Sequence, residues 1–289
     1  MQVAIQLAVG LALSGLISFF AYRRKSLSRS GVAGAILVGT VIFGFGGWVW
    51  GMTLIAFFVL SSMLSHYKET AKQALSEKFA KGNQRDLGQA LANGGGGALL
   101  ALLYGLYPTP ALIAAFIGAM ATVNADTWAT ELGVLSKRHP HLITTWKPVE
   151  PGTSGGVSLL GTIATTGGAL VIGIAHLFLL RIDTLLGGSY STIAQAHGPL
   201  SGLWLLPSAL LGGLAGSLFD SLLGATVQAI YYSPTRQKET EKRIDPDGTP
   251  NQHLRGWRWL GNDGVNLISS LVGAGVGAMT WLLLQQFFM

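Results

Sequence analysis

Residues 110–135 read PALIAAFIGAMATVNADTWATELGVL. From Pro110 to Ala125 the stretch carries no ionisable side chain. A bilayer core about 30 Å thick is crossed by about 20 helical residues, so this run is long enough and apolar enough to span a membrane. Its last third then packs Asn124, Asp126, Thr127, Thr130 and Glu131 into two turns. Ionisable groups inside a span are expensive, and by default they mark function.

The rest of the chain follows the same pattern. Of 289 residues, 49% are hydrophobic, 11% are charged and 40 are glycine. Soluble domains carry about 25% charged residues, so this chain has too little polar surface to be one. Apolar runs cover Met1 to Tyr22, Gly31 to Gly47, Trp48 to Ser65, Leu87 to Leu106, Pro110 to Leu135, Gly155 to Leu180, Leu203 to Tyr232 and Val265 to Phe288. The expectation is an all-α polytopic integral membrane protein of about eight transmembrane helices, forming a single transmembrane domain over residues 1–289. The helix count can change at Gly44 to Gly51, a possible re-entrant turn. The first run has no basic residue ahead of it and no small-residue cleavage site, so it reads as a retained helix. With no cysteine, disulfides, thiolate metal sites and cysteine nucleophiles are excluded.

The net charge is +6. The loops after spans one, three, five and seven hold four, five, three and six basic residues, including Lys68, Lys72, Lys78, Lys81 and Arg85 in the second of them. Arg181 is the one exception. The positive-inside rule therefore places those loops in the cytoplasm and both termini outside. Topology and attraction to anionic lipid account for the charge, so no nucleic-acid partner is expected.

Asp126 lies 16 residues after Pro110, and Asp220 lies 16 residues after Trp204. Both therefore sit roughly 24 Å from the outer ends of their helices. Glu131 lies one turn beyond Asp126, and Asp263 opens the last helix from the cytoplasmic side. Acids from three helices thus converge on one layer. A hard cation such as Mg²⁺ takes one or two carboxylates and leaves positions for phosphate oxygens. Ser217, Asp220, Ser221, Gly224 and Gln228 form a polar and small stripe on an otherwise apolar helix. Between spans five and six, Lys147 precedes a turn containing Thr153, Ser154, Gly155 and Gly156. Such a turn running into a helix offers N–H groups, hydroxyls and a dipole to an anion, or serves simply as an N-cap. Asn93 and the four glycines after it fit either close helix packing or a bare backbone open to phosphate. Neither a P-loop nor a Rossmann glycine motif occurs.

The segments NADTWATELG (124–133), LITTWKPVEPGTSGGVS (142–158), GSLFDSLLGATVQ (216–228) and Asn262-Asp263 resemble the integral membrane family that contains plant phytyl-phosphate kinase of vitamin E synthesis. LSRSG (27–31) and RDLGQALANGG (85–95) extend the resemblance to nearly the whole chain. A more distant likeness is to dolichol kinase and phosphatidate cytidylyltransferase. There Asp220 stands where the pattern has Glu, Ser217 where it has Asp, and Asn262-Asp263 replaces Lys-Asp. The basic positions that mark cytidylyltransferases after that acid are missing, which favours phosphoryl over nucleotidyl transfer.

The resemblance implies a membrane kinase that moves the γ-phosphoryl of a nucleoside triphosphate, CTP being favoured, to an isoprenoid monophosphate such as phytyl phosphate. In this reading Asp126, Asp220 and Asp263 hold Mg²⁺, and Asn124 and Glu131 orient them. Lys147, Thr153, Ser154, Gly155, Gly156, Asn93, Ser217, Ser221 and Asn262 bind the phosphates, and the lipid substrate enters from the membrane. His66, His139, His141 and His253 read as solvated loop residues. The alternatives are a CDP-lipid synthase and an ion-coupled transporter, for which broken glycine-rich helices and intramembrane acids are also expected.

Overall fold

The computed structural model describes residues 2–67, 84–188 and 201–288. Lys68, Lys72, Lys78 and Lys81, expected to mark a cytoplasmic loop, lie outside the described residues. Eight long helices are seen: α1 (Gln2–Arg23), α2 (Arg29–Gly46), α3 (Trp48–His66), α4 (Leu87–Leu106), α5 (Pro110–Gly133), α6 (Leu159–Leu185), α7 (Leu205–Thr226) and α8 (Asn262–Phe288). Seven are long and apolar enough to cross a membrane. The exception is α4, whose 20 residues include Gln89, Asn93 and six glycines. The all-α polytopic class holds, and α2 and α3 are separated by Gly47 alone.

Three ends differ from the sequence expectation, one of them the end of α6, which runs on to Leu185, five residues past Leu180. Helix α6 starts at Leu159 rather than Gly155, because Ser158 caps it by accepting from the Gly161 N–H at 3.1 Å. The seventh helix stops at Thr226, short of Tyr232. The chain beyond it forms β3 (Ile230–Ser233), which pairs antiparallel with β4 (Lys238–Thr240) and β5 (Gln252–Arg255). A smaller ladder joins β1 (His141–Leu142) to β2 (Gly156–Val157).

Helix α5 is the centre of the bundle. Every residue from Ile113 to Ala125 is buried, as expected of a helix without a polar face. Helices α6, α7 and α8 pack extensively against it. Its contact with α7 and α8 is made by backbone. A Cβ on Gly212 would lie 2.7 Å from the Gly273 carbonyl oxygen and 2.9 Å from Gly118 Cα, and one on Gly277 would lie 2.7 Å from the Ala114 carbonyl oxygen. In lipid, helices associate through such close packing. Thr122 completes the seam, its hydroxyl reaching the carbonyls of Gly118 at 2.9 Å and Gly212 at 3.0 Å.

The contacts also fix direction. Gly212 meets Gly118 and Gly216 meets Thr122, so α5 and α7 run parallel; Gly273 meets Thr122 and Gly277 meets Ala114, so α8 is antiparallel. A methyl group on Gly273 would run into the Thr122 hydroxyl and two backbone carbonyls, whereas one on Gly275 meets nothing. Gly273→Ala should therefore lower unfolding stability in detergent by about 1–3 kcal/mol, the usual cost of overpacking. Gly275→Ala, the control, should match or exceed wild type. Equal midpoints for the two variants would refute the seam.

Candidate active site

Helices α3 to α8 enclose a cavity of about 670 Å³ at one end of the bundle. The volume falls in the range of small-molecule sites. Asp126 and Glu131 face it from α5, Ser217, Asp220 and Ser221 from α7, Asn262 and Asp263 from the first turn of α8, and Asn93 from α4. Thr153, Ser154, Gly155 and Gly156 form part of its wall. Twelve of the fourteen residues singled out in the sequence are thus brought together.

The other two are not. Asn124 is fully buried in the helix core, donating to the Gly168 carbonyl at 2.8 Å and accepting from the Ser61 hydroxyl at 3.2 Å. It ties α5 to α6 and α3 and does not line the cavity. Lys147 is exposed, in the loop between β1 and β2, and it too is absent from the cavity wall. The phosphate-cradle expectation also changes in detail. The Thr153 N–H is bonded to the Glu150 carbonyl at 3.1 Å and the Gly156 N–H to the Thr153 carbonyl at 2.9 Å, so neither points at a ligand. What the turn does is pack. Gly155 has φ +84°, and a Cβ there would lie 2.6 Å from the Ala225 backbone nitrogen, so only glycine lets the loop lie on the end of α7.

Asp126 and Asp220 lie close enough to repel one another, with Glu241 near both. Among the described residues Asp220 Oδ2 is buried with no partner at full hydrogen-bond geometry, and the Ser269 hydroxyl lies near it. Among the described residues no three His, Asp or Glu side chains gather tightly enough to hold a metal alone. Asp126, Asp220 and Asp263 line one cavity without forming such a cluster. Two facing carboxylates flanked by the Ser217 and Ser221 hydroxyls fit a hard cation that takes its remaining oxygens from phosphate.

Several charged or polar contributors were not assigned to the site from sequence. Glu241 and Lys242 reach the cavity because the three-stranded sheet docks on α7. The Arg255 guanidinium donates to the Gly224 carbonyl at 2.9 Å, and Ser154 donates to Gln228 Oε1 at 3.0 Å, whose amide in turn donates to Glu241 at 2.7 Å. Asn266 reaches Asn93 across the α4–α8 contact at 3.5 Å. Arg85, just ahead of α4, had been counted only as a loop cation. Its guanidinium lies over the Phe57 and Phe58 rings, at 5.6 and 5.3 Å, and donates to Ser62 at 3.2 Å. Burial pulls it down to about 10 while Glu131 holds it up, so it stays cationic at neutral pH. Of the histidines, His139 and His141 are exposed as expected, whereas His253 is partly buried against Tyr231 and Gly256. His66 lies outside the described side chains.

A helical membrane bundle with a carboxylate-lined polar cavity at one end is thus the class that fold and site define. The chain belongs to the integral membrane protein family DUF92, whose model matches residues 12–274. It is 34% identical to Protein PGR of Arabidopsis thaliana over 281 residues, covering 92% of this chain and 93% of that one. It is 29% identical to the uncharacterized membrane protein MJ0933 of Methanocaldococcus jannaschii, with 97% of each chain covered. Protein VTE6, chloroplastic, of Arabidopsis thaliana is 26% identical over 91% of this chain and 66% of its own length. No solved structure matches.

The sheet is held by Asp245, which pairs with Arg236 and accepts from Ser233, Thr235 and Asn251. Arg236 first, then those hydrogen bonds, hold its carboxyl well below the ordinary range against an opposing effect of burial. A depressed carboxylate stabilises fully above its unfolded value, about 3.9, and the contribution is lost as pH falls through the folded value. Amide exchange in residues 230–255, corrected for intrinsic rate, should show constant protection from pH 7 to about 4 and a fall below it. Asp245→Asn should show weaker protection already at pH 7; identical protection in the variant would refute the role.

Proposed function

We propose that this protein is a membrane phosphotransferase that moves the γ-phosphoryl of a nucleoside triphosphate to an isoprenoid monophosphate, with CTP the favoured donor. The observation that carries the reading is the facing pair Asp126 and Asp220, set in one cavity with the cations Arg85 and Lys242. Membership of the family that contains plant phytyl-phosphate kinase, and the relation to VTE6, support it.

Phosphoryl transfer asks a protein mainly for positioning and charge neutralisation. An acceptor phosphate oxygen bonds to Pγ, the bond from Pγ to the β,γ-bridging oxygen breaks, and the nucleoside diphosphate leaves. A dianionic acceptor brings no proton to remove, so no general base is required. Asp126 and Asp220 would hold Mg²⁺, which supplies neutralisation of the phosphate oxygens when bound. Arg85 and Lys242 bind phosphate; Asn93, Asn262, Ser217 and Ser221 supply polar wall; Glu131 holds Arg85, and Asp263 opens α8 beside them. The positive-inside rule, applied to the basic loops, supports a cytoplasmic side for this end of the bundle, where nucleotides are abundant.

Purified protein given γ-labelled donor, Mg²⁺ and phytyl or geranylgeranyl phosphate should form the labelled diphosphate. Pyrophosphate release instead would indicate a CDP-lipid synthase, and liposome uptake with neither product a transporter. Asp126→Asn and Asp220→Asn should each cut turnover by at least about 10²-fold with the thermal midpoint retained, the scale expected when preorganised charge at a reacting centre is removed. Lys147→Ala, outside the cavity, should stay within about twofold of wild type, as exposed substitutions usually do. Full activity in either Asn variant would remove the carboxylate assignment.

A further inference from the structure

A second, smaller cavity of about 90 Å³ lies between α1, α2, α3 and α4. Its walls are apolar, with Ile17, Val38, Phe43 and Leu54 among them, and Arg85 is its one charged residue. Three residues, Arg85, Gln89 and Asn93, line this pocket and the polar cavity alike. Gln89 and Asn93 are four apart and so share a face of α4. The two spaces therefore meet along one row of side chains, polar on one side and hydrocarbon-like on the other.

Arg85 sits at that junction in an unusual state. Two aromatic faces take its guanidinium on the pocket side, and Ser62 accepts one of its donors. A guanidinium carries five N–H donors in a fork suited to phosphate, and among the described residues Ser62 is its one hydrogen-bond partner. A guanidinium at the boundary between a polar cavity and an apolar slot matches an amphiphile with an anionic head. At about 90 Å³ the slot takes a few carbons of one chain. It also has a lipid side: α1 packs along α2 and makes no extensive contact with α3 or α4.

We propose that this pocket receives the first carbons of the chain of a single-chain lipid phosphate, whose phosphate rests on Arg85 at the mouth of the main cavity. The remainder of the chain lies between α1 and its neighbours, against the bilayer. This rests on the reading of the main cavity as the phosphoryl-transfer site, and it names the residues that position and select the acceptor. Ala35, on α2 in the pocket wall, is the place to fill the slot.

The test uses the full chain in nanodiscs and a prenyl phosphate bearing a diazirine in its first isoprene unit. Irradiation should label peptides within residues 13–58 and 87–94. Ala35→Phe should reduce that labelling at least fivefold with an unchanged thermal midpoint, and tenfold excess phosphatidate, a two-chain phosphomonoester, should not compete. Where turnover is measurable, Ala35→Phe should also lower kcat/KM for C5 and C20 prenyl phosphates alike, at least tenfold. Labelling spread over the lipid-facing sides of α6 and α8, labelling indifferent to Ala35→Phe, or effective competition by phosphatidate would each overturn the proposal. Labelling needs no turnover, so a labelled pocket in a protein without transferase activity rejects the phosphotransferase reading alone. Turnover with labelling elsewhere rejects this pocket alone.

Discussion

Where α5, α7 and α8 cross, three backbones touch with almost no side chain between them, and the position of the site follows from that contact. Gly118 and Gly212 meet at the seam, and α5 and α7 leave it in the same direction. Asp126 lies eight residues beyond Gly118 and Asp220 eight beyond Gly212. At 1.5 Å per residue both carboxylates rise about 12 Å from one shared point and arrive at the same height. Neither acid needs to attract the other. Two like charges facing across a cavity disfavour the arrangement, and the packing of the seam holds it in place. Thr122 adds to this by placing its hydroxyl against carbonyls of two helices at once.

The other wall of the cavity is assembled on the last turn of α7. Gly224 and Ala225 receive the 151–156 loop, Gln228 joins Ser154 to Glu241, and Arg255 satisfies the Gly224 carbonyl, one of the orphan acceptors a helix end leaves. Two segments far apart in sequence thus close over the acids by converging on one helix end. The small sheet acts as a brace that carries Glu241 and Lys242 to the site.

The convergence of the acids was legible because it depends only on local counting: equal helix lengths from the outer ends to Asp126 and Asp220. The helices themselves were legible from apolar run length, apart from both ends of α6 and the end of α7. Helix α7 was read too far because Val227 to Tyr232 is as apolar as a helix turn, and a short buried strand has the same composition. Asn124 was misplaced because spacing puts it within a turn of Asp126 but does not say which side of α5 faces the cavity; α5 is buried on all sides, so no hydrophobic face exists to orient it. Lys147 was assigned from proximity in sequence to the 153–156 turn, and it is exposed outside the cavity wall. Arg85 and Glu241 carried no local signal at all. Arg85 is indistinguishable in composition from the lysines before it, and only the tertiary placement of the segment ahead of α4 beside α3 gives it Phe57 and Phe58.

Beyond the cavity the bundle is filled. Phe116, Ile117 and Met120 of α5 are fully buried, and Trp50 stacks on Phe116 with ring centroids 4.1 Å apart. Polar groups in that half are spent on cross-links: Thr53 to His176 at 2.9 Å and Trp48 to Asp183 at 2.6 Å, both fastening α3 to α6. A site that is polar at one end, packed shut toward the other and apolar along one flank suits two reactants that arrive by different routes. In the proposed reaction a nucleotide comes from water at the open end, and a lipid comes sideways from the bilayer. Alternating access, by contrast, calls for a site near the midplane between repeats that can rock. Here the acids lie in the last third of α5 and α7, and the helices that bear them are clamped by backbone contact rather than by adjustable side chains. The same rigidity that would hinder a carrier serves an enzyme, because transfer between two bound phosphates depends on holding the reacting atoms in place.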